Sequence, residues 1–572
     1  MQNNVLFPYG ISNFGKVVQE GLIFVDKTHY LPLLEQRSNA VYLRPRRFGK
    51  SLFVSMLENY YDIRRKEQFF ELFGKFYIGS NPTPLANSFR ILHFNFSGIN
   101  TENLSSSKEG FDNRVRAQVN NFMGKYQIFT QEQRNKILDL SGAEKILANF
   151  FYEYEISEKI PIYLIIDEYD HFTNEILTRD VREFQESVSL NGYVRKFYEV
   201  IKNATQQGVM DRFFITGVSP ITMDSLTSGF NIVQHLTHEE DFEAMMGFSE
   251  MEVRSLLNLV LWDKNRENKI MQDLKYFYNG YKFYPFSQQS IYNADMILYF
   301  LDNFKKKQQY PLQILDPNIA PDYGKLKRLF ETAKWIENTA VLEEILRKGE
   351  VQSELIYQFS FEKDFGEKEF INFLYYLGNL TIKEANIAGE IIFKIPNYVI
   401  GELYWQYYGY LLQKLHDLPL EEEKVRKAVV AMAFGNVKDY FEVVGRLLKL
   451  LSNRDYQRFD EKYIKMIFIA YAMQGNVFLI HTEREIAGGG YVDLELFVRP
   501  TNHHSHHQYA MEIKYLKKEQ EHLLAETLSQ AKKQLWQYFE QDEILQSKPM
   551  LHLLAVVVVK DEIYFEELVP TR

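Results

Sequence analysis

A glycine, a lysine and a hydroxyl in succession, Gly49-Lys50-Ser51, are the residue types that can surround a phosphate. In the pattern G-x-x-x-x-G-K-[ST], backbone N–H groups face phosphate oxygens, the lysine reaches the terminal phosphates and the hydroxyl binds magnesium. Here Arg44 stands where the first glycine would be. On this segment alone, nucleotide binding and a chance half-motif are both open readings. Two adjacent carboxylates, Asp167-Glu168, end the apolar run Tyr163 to Ile166. An Asp so placed can hold magnesium, and the next Glu can orient and deprotonate an attacking water. Solvated acids at a strand end would be unremarkable, but that reading must account for both motifs, in order, each ending an apolar run. Together they imply ATP binding, with ATP and Mg2+ as cofactors. Thr216, ending the run Arg212 to Thr216, could sense a γ-phosphate or simply form a Thr-Gly turn. Arg46 and Arg47 could bind phosphate, reach a partner's nucleotide or line a solvated loop. Either of them, or Arg212, acting across an interface would imply a homo-oligomer, which nothing in the sequence demonstrates.

A second constellation lies near the C-terminus. Asp493 sits in the run Tyr491 to Leu496, and Glu512 and Lys514 in the run Tyr509 to Lys514. Strand alternation puts Glu512 and Lys514 on one face and Met511 and Ile513 on the other. Carboxylates from two neighbouring strands make a hard-oxygen site suited to magnesium, and a nearby lysine can position or activate the water that attacks a phosphodiester. Taken alone, such a D…ExK set equally describes a salt-bridged ladder on an exposed strand. Glu461, on a helix predicted over Phe459 to Met473, and Glu483, before the turn Gly488-Gly489-Gly490, compete as a further acid, with Glu461 favoured as a metal-shell residue. Gln530 and Gln534 share a helix face at four-residue spacing. The cluster His503-His504-Ser505-His506-His507 invites a metal reading, but a flexible polar loop usually forms no defined coordination shell.

The elements that must position these residues follow from periodicity. Residues 1–300 alternate short β-like runs, at Ala40 to Leu43, Arg90 to Phe96, Ile162 to Ile166 and Arg212 to Thr216, with helical patterns, as an α/β domain does. Residues 301–424 read as a helical middle region, for packing or coupling, with a boundary near Asp417-Leu418-Pro419-Leu420. Residues 425–572 return to strands at Val477 to His481, Tyr491 to Val498, Gln508 to Lys514 and Leu551 to Val559, with a long helix over about Gln520 to Gln541.

At 572 residues the chain is long enough for two to four domains, and its 38 Tyr and 45 Phe exclude a disordered protein. The absence of cysteine removes disulfides, thiolate zinc sites and cysteine nucleophiles together, which fits a reducing cytoplasm. The beginning of the sequence does not read as a signal peptide, and no apolar stretch reaches the length of a membrane span. A formal charge of −10 argues against a general DNA-binding coat, while a local basic groove stays compatible with it.

Val25-Asp26-Lys27-Thr28, the string Leu43-Arg44-Pro45-Arg46-Arg47-Phe48-Gly49-Lys50-Ser51, Ile166-Asp167-Glu168-Tyr169-Asp170, Phe214 to Pro220 and Tyr278 to Phe283 resemble the bacterial AAA-ATPase-like family. The resemblance covers residues 5 to about 300 well, the middle loosely and the C-terminal part through one motif set. It implies that replacement of the first P-loop glycine is a family trait. It also implies a C-terminal PD-(D/E)XK nuclease-superfamily domain, in which Asp493, Glu512 and Lys514 would be catalytic and Gln534 matches a common helix glutamine. The expectation is an α/β protein: a P-loop NTPase domain, a helical middle and a nuclease-like α/β domain that cuts nucleic acid, DNA rather than RNA. Genome defence or mobile-element biology is the context the family suggests. The rival is an ATP-dependent switch or scaffold whose nuclease fold binds without cleaving; a plain ATPase with a structural C-terminus is the third reading.

Overall fold

A computed structural model describes residues 5–189, 191–222, 230–318, 335–357, 359, 366–415, 422–455, 459–486, 489–500 and 507–568. The boundary expected at Asp417 to Leu420, Gly488 and the histidines at 503, 504 and 506 fall outside them. The chain forms two compact units: Met1–Gln308 with Leu315–Val341 and Glu350–Tyr398, and Gln309–Ile314 with Leu342–Gly349 and Val399–Arg572.

The first unit is built on five parallel strands: β1 (Asn39–Leu43), β2 (Arg90–Asn95), β3 (Ile162–Asp167), β4 (Met210–Gly217) and β5 (Gln234–His235), in the order β2-β3-β4-β1-β5. A parallel sheet is covered on both faces, so its strands read as continuous apolar runs rather than alternating ones. β3, Ile-Tyr-Leu-Ile-Ile-Asp, is buried along its whole length. Three helices matter for the site. The first, α1 (Lys50–Tyr61), begins where the phosphate loop ends; α2 (Glu250–Val260) and α3 (Ala294–Lys307) follow the sheet. Ser249 starts α2 with a capping box to Glu252, and Asn293 caps α3.

The stretch expected to be a helical middle carries a sheet as well as helices: β6 (Glu350–Ser353), β7 (Thr381–Ala385) and β8 (Ile391–Lys394) pair antiparallel in the order β6-β8-β7. These strands are four or five residues long and carry Glu and Lys, so periodicity gives little warning of them. Residues 301–424 are also divided between the two units instead of forming one of their own.

In the second unit, α4 (Glu461–Met473) precedes a five-stranded sheet of β9 (Phe478–Glu485), β10 (Tyr491–Val498), β11 (Gln508–Leu516), β12 (Leu551–Val559) and β13 (Glu562–Leu568), in the order β13-β12-β11-β10-β9. β11 and β12 run parallel and the other pairs antiparallel. A parallel pair needs a crossover, and α5 (Leu524–Gln541) supplies it. Its Leu528 and Ala531 pack on Ala555 and Val557, and Leu535 on Ala510 and Leu553. β13 escapes notice in the sequence because an edge strand with three glutamates does not look like core. Among the described residues, no helix is long and apolar enough to cross a membrane.

Candidate functional site

The loop from β1 to α1 carries two residues with positive φ, Arg47 (71°) and Gly49 (92°). Glycine is needed at 49 because the left-handed turn there aims the loop into the first turn of α1. Arg44, in place of the first glycine, is buried beneath the loop. Its guanidinium lies 4.1 Å from the Tyr42 ring centre and 3.9 Å from that of Phe283, and donates to the carbonyls of Leu43, Thr237 and Glu243. The loop is braced from outside too: Asn293 donates to the Arg46 carbonyl, Asp295 N–H to the Arg47 carbonyl and Gly247 N–H to the Phe48 carbonyl.

Lys50 is buried and folds back to donate to the carbonyls of Arg44 and Pro45, each at 3.0 Å. Burial holds its pKa below the usual lysine range, against the pull of Glu168 and Asp167. The Ser51 hydroxyl donates to Asp167 Oδ2 at 2.7 Å, joining the two sequence motifs in one place. Burial, then Glu168, raises the Asp167 carboxyl above its ordinary value. Glu168 follows with φ of 53° and faces the same cleft. These oxygen donors suit a hard cation such as magnesium.

The cleft has a volume of about 500 Å³, within the range of small-molecule sites. Arg46, Arg47, Gly49, Lys50, Ser51 and Glu168 line its polar end, and Ile11, Val25, Met246, Phe248, Leu256 and Leu298 contribute an apolar wall. Val25 and Lys27 belong to the motif Val25 to Thr28, whereas α2 and α3 carry no motif that marks them as lining the cleft. Lys27 ties the N-terminal segment to α2: its ammonium donates to the Ala244 carbonyl and to both oxygens of Glu252, at 2.7 and 2.9 Å. Asn95, at the end of β2, lines the cleft and lies 3.5 Å from Asp167 Oδ2. The parallel register of β2 and β3 pairs Asn95 with Asp167.

Thr216 is fully buried and its hydroxyl donates to the Tyr42 carbonyl at 2.8 Å, tying β4 to β1. Arg212 belongs to the opposite end of β4, where it pairs with Asp211 and lies over the Phe89 and Tyr163 rings. The strand end expected to carry a sensor is clamped by buried Asp170, which accepts from the Val218 and Ser219 N–H groups.

In the second unit, β10 and β11 pair at Leu494 with Met511 and Glu495 with Ala510. One step further along this register sets Asp493 opposite Glu512. Instead of a ladder bond there, Asp493 Oδ2 accepts the Ile513 N–H at 2.8 Å. Glu512 Oε1 lies 2.8 Å from Lys514 Nζ, and Glu512 Oε2 is buried without a hydrogen-bond partner among the described residues. Lys514 also lies 3.5 Å from Glu461 on α4. Thus Asp493, Glu512, Lys514 and Glu461 are brought together. Burial, then Asp493, pushes Glu512 up to about 7; burial pulls Lys514 down, but Glu512, Asp493 and Glu461 together raise it to about 12. An orphaned, buried carboxylate oxygen beside a second carboxylate is a donor set that fits a divalent cation. Lys465, one turn after Glu461, also enters: its Nζ lies 2.6 Å from Asp493 Oδ1 and 2.9 Å from Glu461 Oε1. No group of three or more His, Asp or Glu side chains converges as a metal cage among the described residues; here the acids alternate with ammonium groups.

The competing residues fall elsewhere. Glu483 is exposed, with φ of 49°. Gln530 is exposed and donates to Glu526, whereas Gln534 donates to the Tyr538 hydroxyl, whose ring crowds Gly490. His507 is hydrogen-bonded at 2.7 Å to His552, which in turn meets Glu567. A buried network unmarked by any motif adjoins the site: Arg484 grips both oxygens of Glu495 at 2.7 Å and also holds Asp542.

Two parts of the chain match known families. Residues 8–227 match the model of a predicted AAA-ATPase family, AAA-ATPase-like, and residues 459–567 match the PD-(D/E)XK nuclease superfamily. An uncharacterized protein in the vnfD 5′ region of Azotobacter chroococcum mcd 1 is 26% identical over 302 residues, 51% of this chain and 51% of that one. The chain therefore spans about half the length of this curated relative. A Walker-type ATPase of Pyrococcus abyssi aligns over 66% of this chain and 94% of its own, with 11% identity and a TM-score of 0.35.

Proposed function

From a chain that carries a predicted AAA-ATPase domain at residues 8–227 and a PD-(D/E)XK nuclease-superfamily domain at residues 459–567, we propose an ATP-driven nuclease. The first domain binds and hydrolyses ATP, and the second cuts phosphodiesters of nucleic acid, DNA in preference to RNA, under control of the ATP cycle. The observation that carries the nuclease reading is the meeting of Asp493 on β10 with Glu512 and Lys514 on β11, 19 and 21 residues further along the chain.

In this reading Lys50 exchanges the Arg44 and Pro45 carbonyls for the terminal phosphates of ATP, and Arg46 and Arg47 face the same phosphates from the loop. Ser51 and Asp167 hold Mg2+, and Glu168 takes the proton of the attacking water. At the second site Asp493 and Glu512 hold Mg2+, with Glu461 at its margin. Bound magnesium supplies charge neutralisation and a more acidic water at both sites. Lys514, held protonated, orients the attacking water and faces charge developing on the phosphate.

Genome defence or mobile-element biology, a cytoplasmic location and a homo-oligomer complete the proposal. The non-cleaving scaffold draws support from one observation, the pairing of Asp493 with Lys465. The deciding experiment incubates the purified protein with labelled DNA and RNA, Mg2+ and ATP. We expect cleavage that Lys514→Ala abolishes and Lys50→Ala deregulates; an active ATPase that cuts neither polymer overturns the nuclease reading.

A further inference from the structure

Lys465 is outside the D…ExK pattern, yet its ammonium bridges acids from two elements, Asp493 on β10 and Glu461 on α4. We infer that Lys465 is a resident counter-ion: it occupies the cation position between Asp493 and Glu461 in the metal-free site and must withdraw when a divalent ion is loaded. This rests on the metal-dependent nuclease reading above.

Three observations support it. Asp493 Oδ2 is held by the Ile513 N–H, so Oδ1 is the oxygen left to coordinate, and Oδ1 is the one Lys465 holds. Across the strand pair, Glu512 Oε2 is buried with no hydrogen-bond partner among the described residues, so the acceptor side of the site is incomplete with Lys465 in place. Charge points the same way. With all five groups ionised, Glu461, Asp493 and Glu512 against Lys465 and Lys514 leave one negative charge; with Lys465 withdrawn they leave two, the charge a divalent cation matches. Lysine suits this exchange because its ammonium is a point charge on a flexible stem, and the Lys465 side chain keeps 13% exposure, a path towards water. Arginine, with a planar fork matched to carboxylates, would lock the site shut.

The test uses the full chain with Mn2+ as the probe, in an Asp167→Asn background so that the first site does not report. Calorimetric titration compares Lys465 with Lys465→Met, Lys465→Gln, Lys465→Arg and Glu512→Gln. Removing the competing charge should tighten Mn2+ binding roughly tenfold in Lys465→Met and Lys465→Gln. Lys465→Arg should weaken it, and Glu512→Gln should abolish it. In chelator, Lys465→Met should melt below the parent, because Asp493 is left buried and unpaired, and Mn2+ should restore it. Should Met fail to fold, Gln keeps a hydrogen-bond donor there. Mn2+ binding that depends on Glu512 but is equal or weaker without Lys465 overturns this inference and leaves the nuclease reading standing. No Mn2+ binding in any protein overturns both.

Discussion

Ser51 Oγ and Asp167 Oδ2 lie 2.7 Å apart although 116 residues separate them in the chain. This hydrogen bond joins the end of the phosphate loop to the end of β3, and it brings a hydroxyl and a carboxylate to one point before any ligand arrives. The proposed ATPase chemistry depends on that convergence.

Lys50→Ala should abolish ATP hydrolysis, with a loss of about 100-fold or more in kcat, because the terminal phosphates lose their only lysine from the loop. Steady-state phosphate release and a nucleotide titration check it. The loss of a donor to two buried carbonyls, those of Arg44 and Pro45, should cost about 1–3 kcal/mol, which thermal denaturation of the variant measures alongside.

Restoring the first glycine of the P-loop pattern should harm this protein. Arg44→Gly removes a buried guanidinium that lies over two rings and donates to the surrounding carbonyls, that of Phe242 included. A loss of about 3 kcal/mol is expected from the unsatisfied carbonyls and the vacated volume. Chemical denaturation of the variant against the parent measures it, and an unchanged midpoint would count against the scaffold role.

Arg484→Leu should be at least as damaging in the second unit. It strands Glu495, fully buried, and removes the second arm to Asp542. Breaking one side of a buried pair typically costs about 3–5 kcal/mol. The doubly apolar variant Arg484→Leu/Glu495→Leu should recover much of the loss, which a double-mutant cycle would show.

Divalent metal binding at the second site should strengthen as pH rises through about 7. Burial and Asp493 hold the Glu512 carboxyl protonated up to about that pH, and only its ionised form can hold a cation. The stability sign is the reverse. Between the ordinary glutamate value and 7, the folded state binds more protons at Glu512 than the unfolded chain, so metal-free stability falls as pH rises through that window. Mn2+ titrations at pH 6 and 8 check the first sign and denaturation in chelator the second; Glu512→Gln should flatten both.

Much of this was legible because buried parallel strands are written as unbroken apolar runs, with their polar site residues at the ends. The four strands expected in the first unit all form, to within two residues. The Asp493, Glu512 and Lys514 set was legible through alternation. Thr216 was ambiguous because the sequence shows a hydroxyl at a strand end but not that the Tyr42 carbonyl of β1 would accept from it. Arg44 and Arg484 were opaque for a related reason: a buried guanidinium is justified only by carbonyls and carboxylates far along the chain. Lys465 could have been noticed, since it follows Glu461 at helical spacing, but a surface i,i+4 pair is the ordinary reading of that signal.

The strand order β2-β3-β4-β1-β5 carries a consequence for how the molecule is made. β1 and β3, which bear the two halves of the phosphate site, are not neighbours; β4, residues 210–217, lies between them. During synthesis the loop at 44–51 and the acids at 167–168 emerge long before the strand that sets their separation. The proposed nucleotide site would accordingly be incomplete in any fragment of the chain that ends before residue 210.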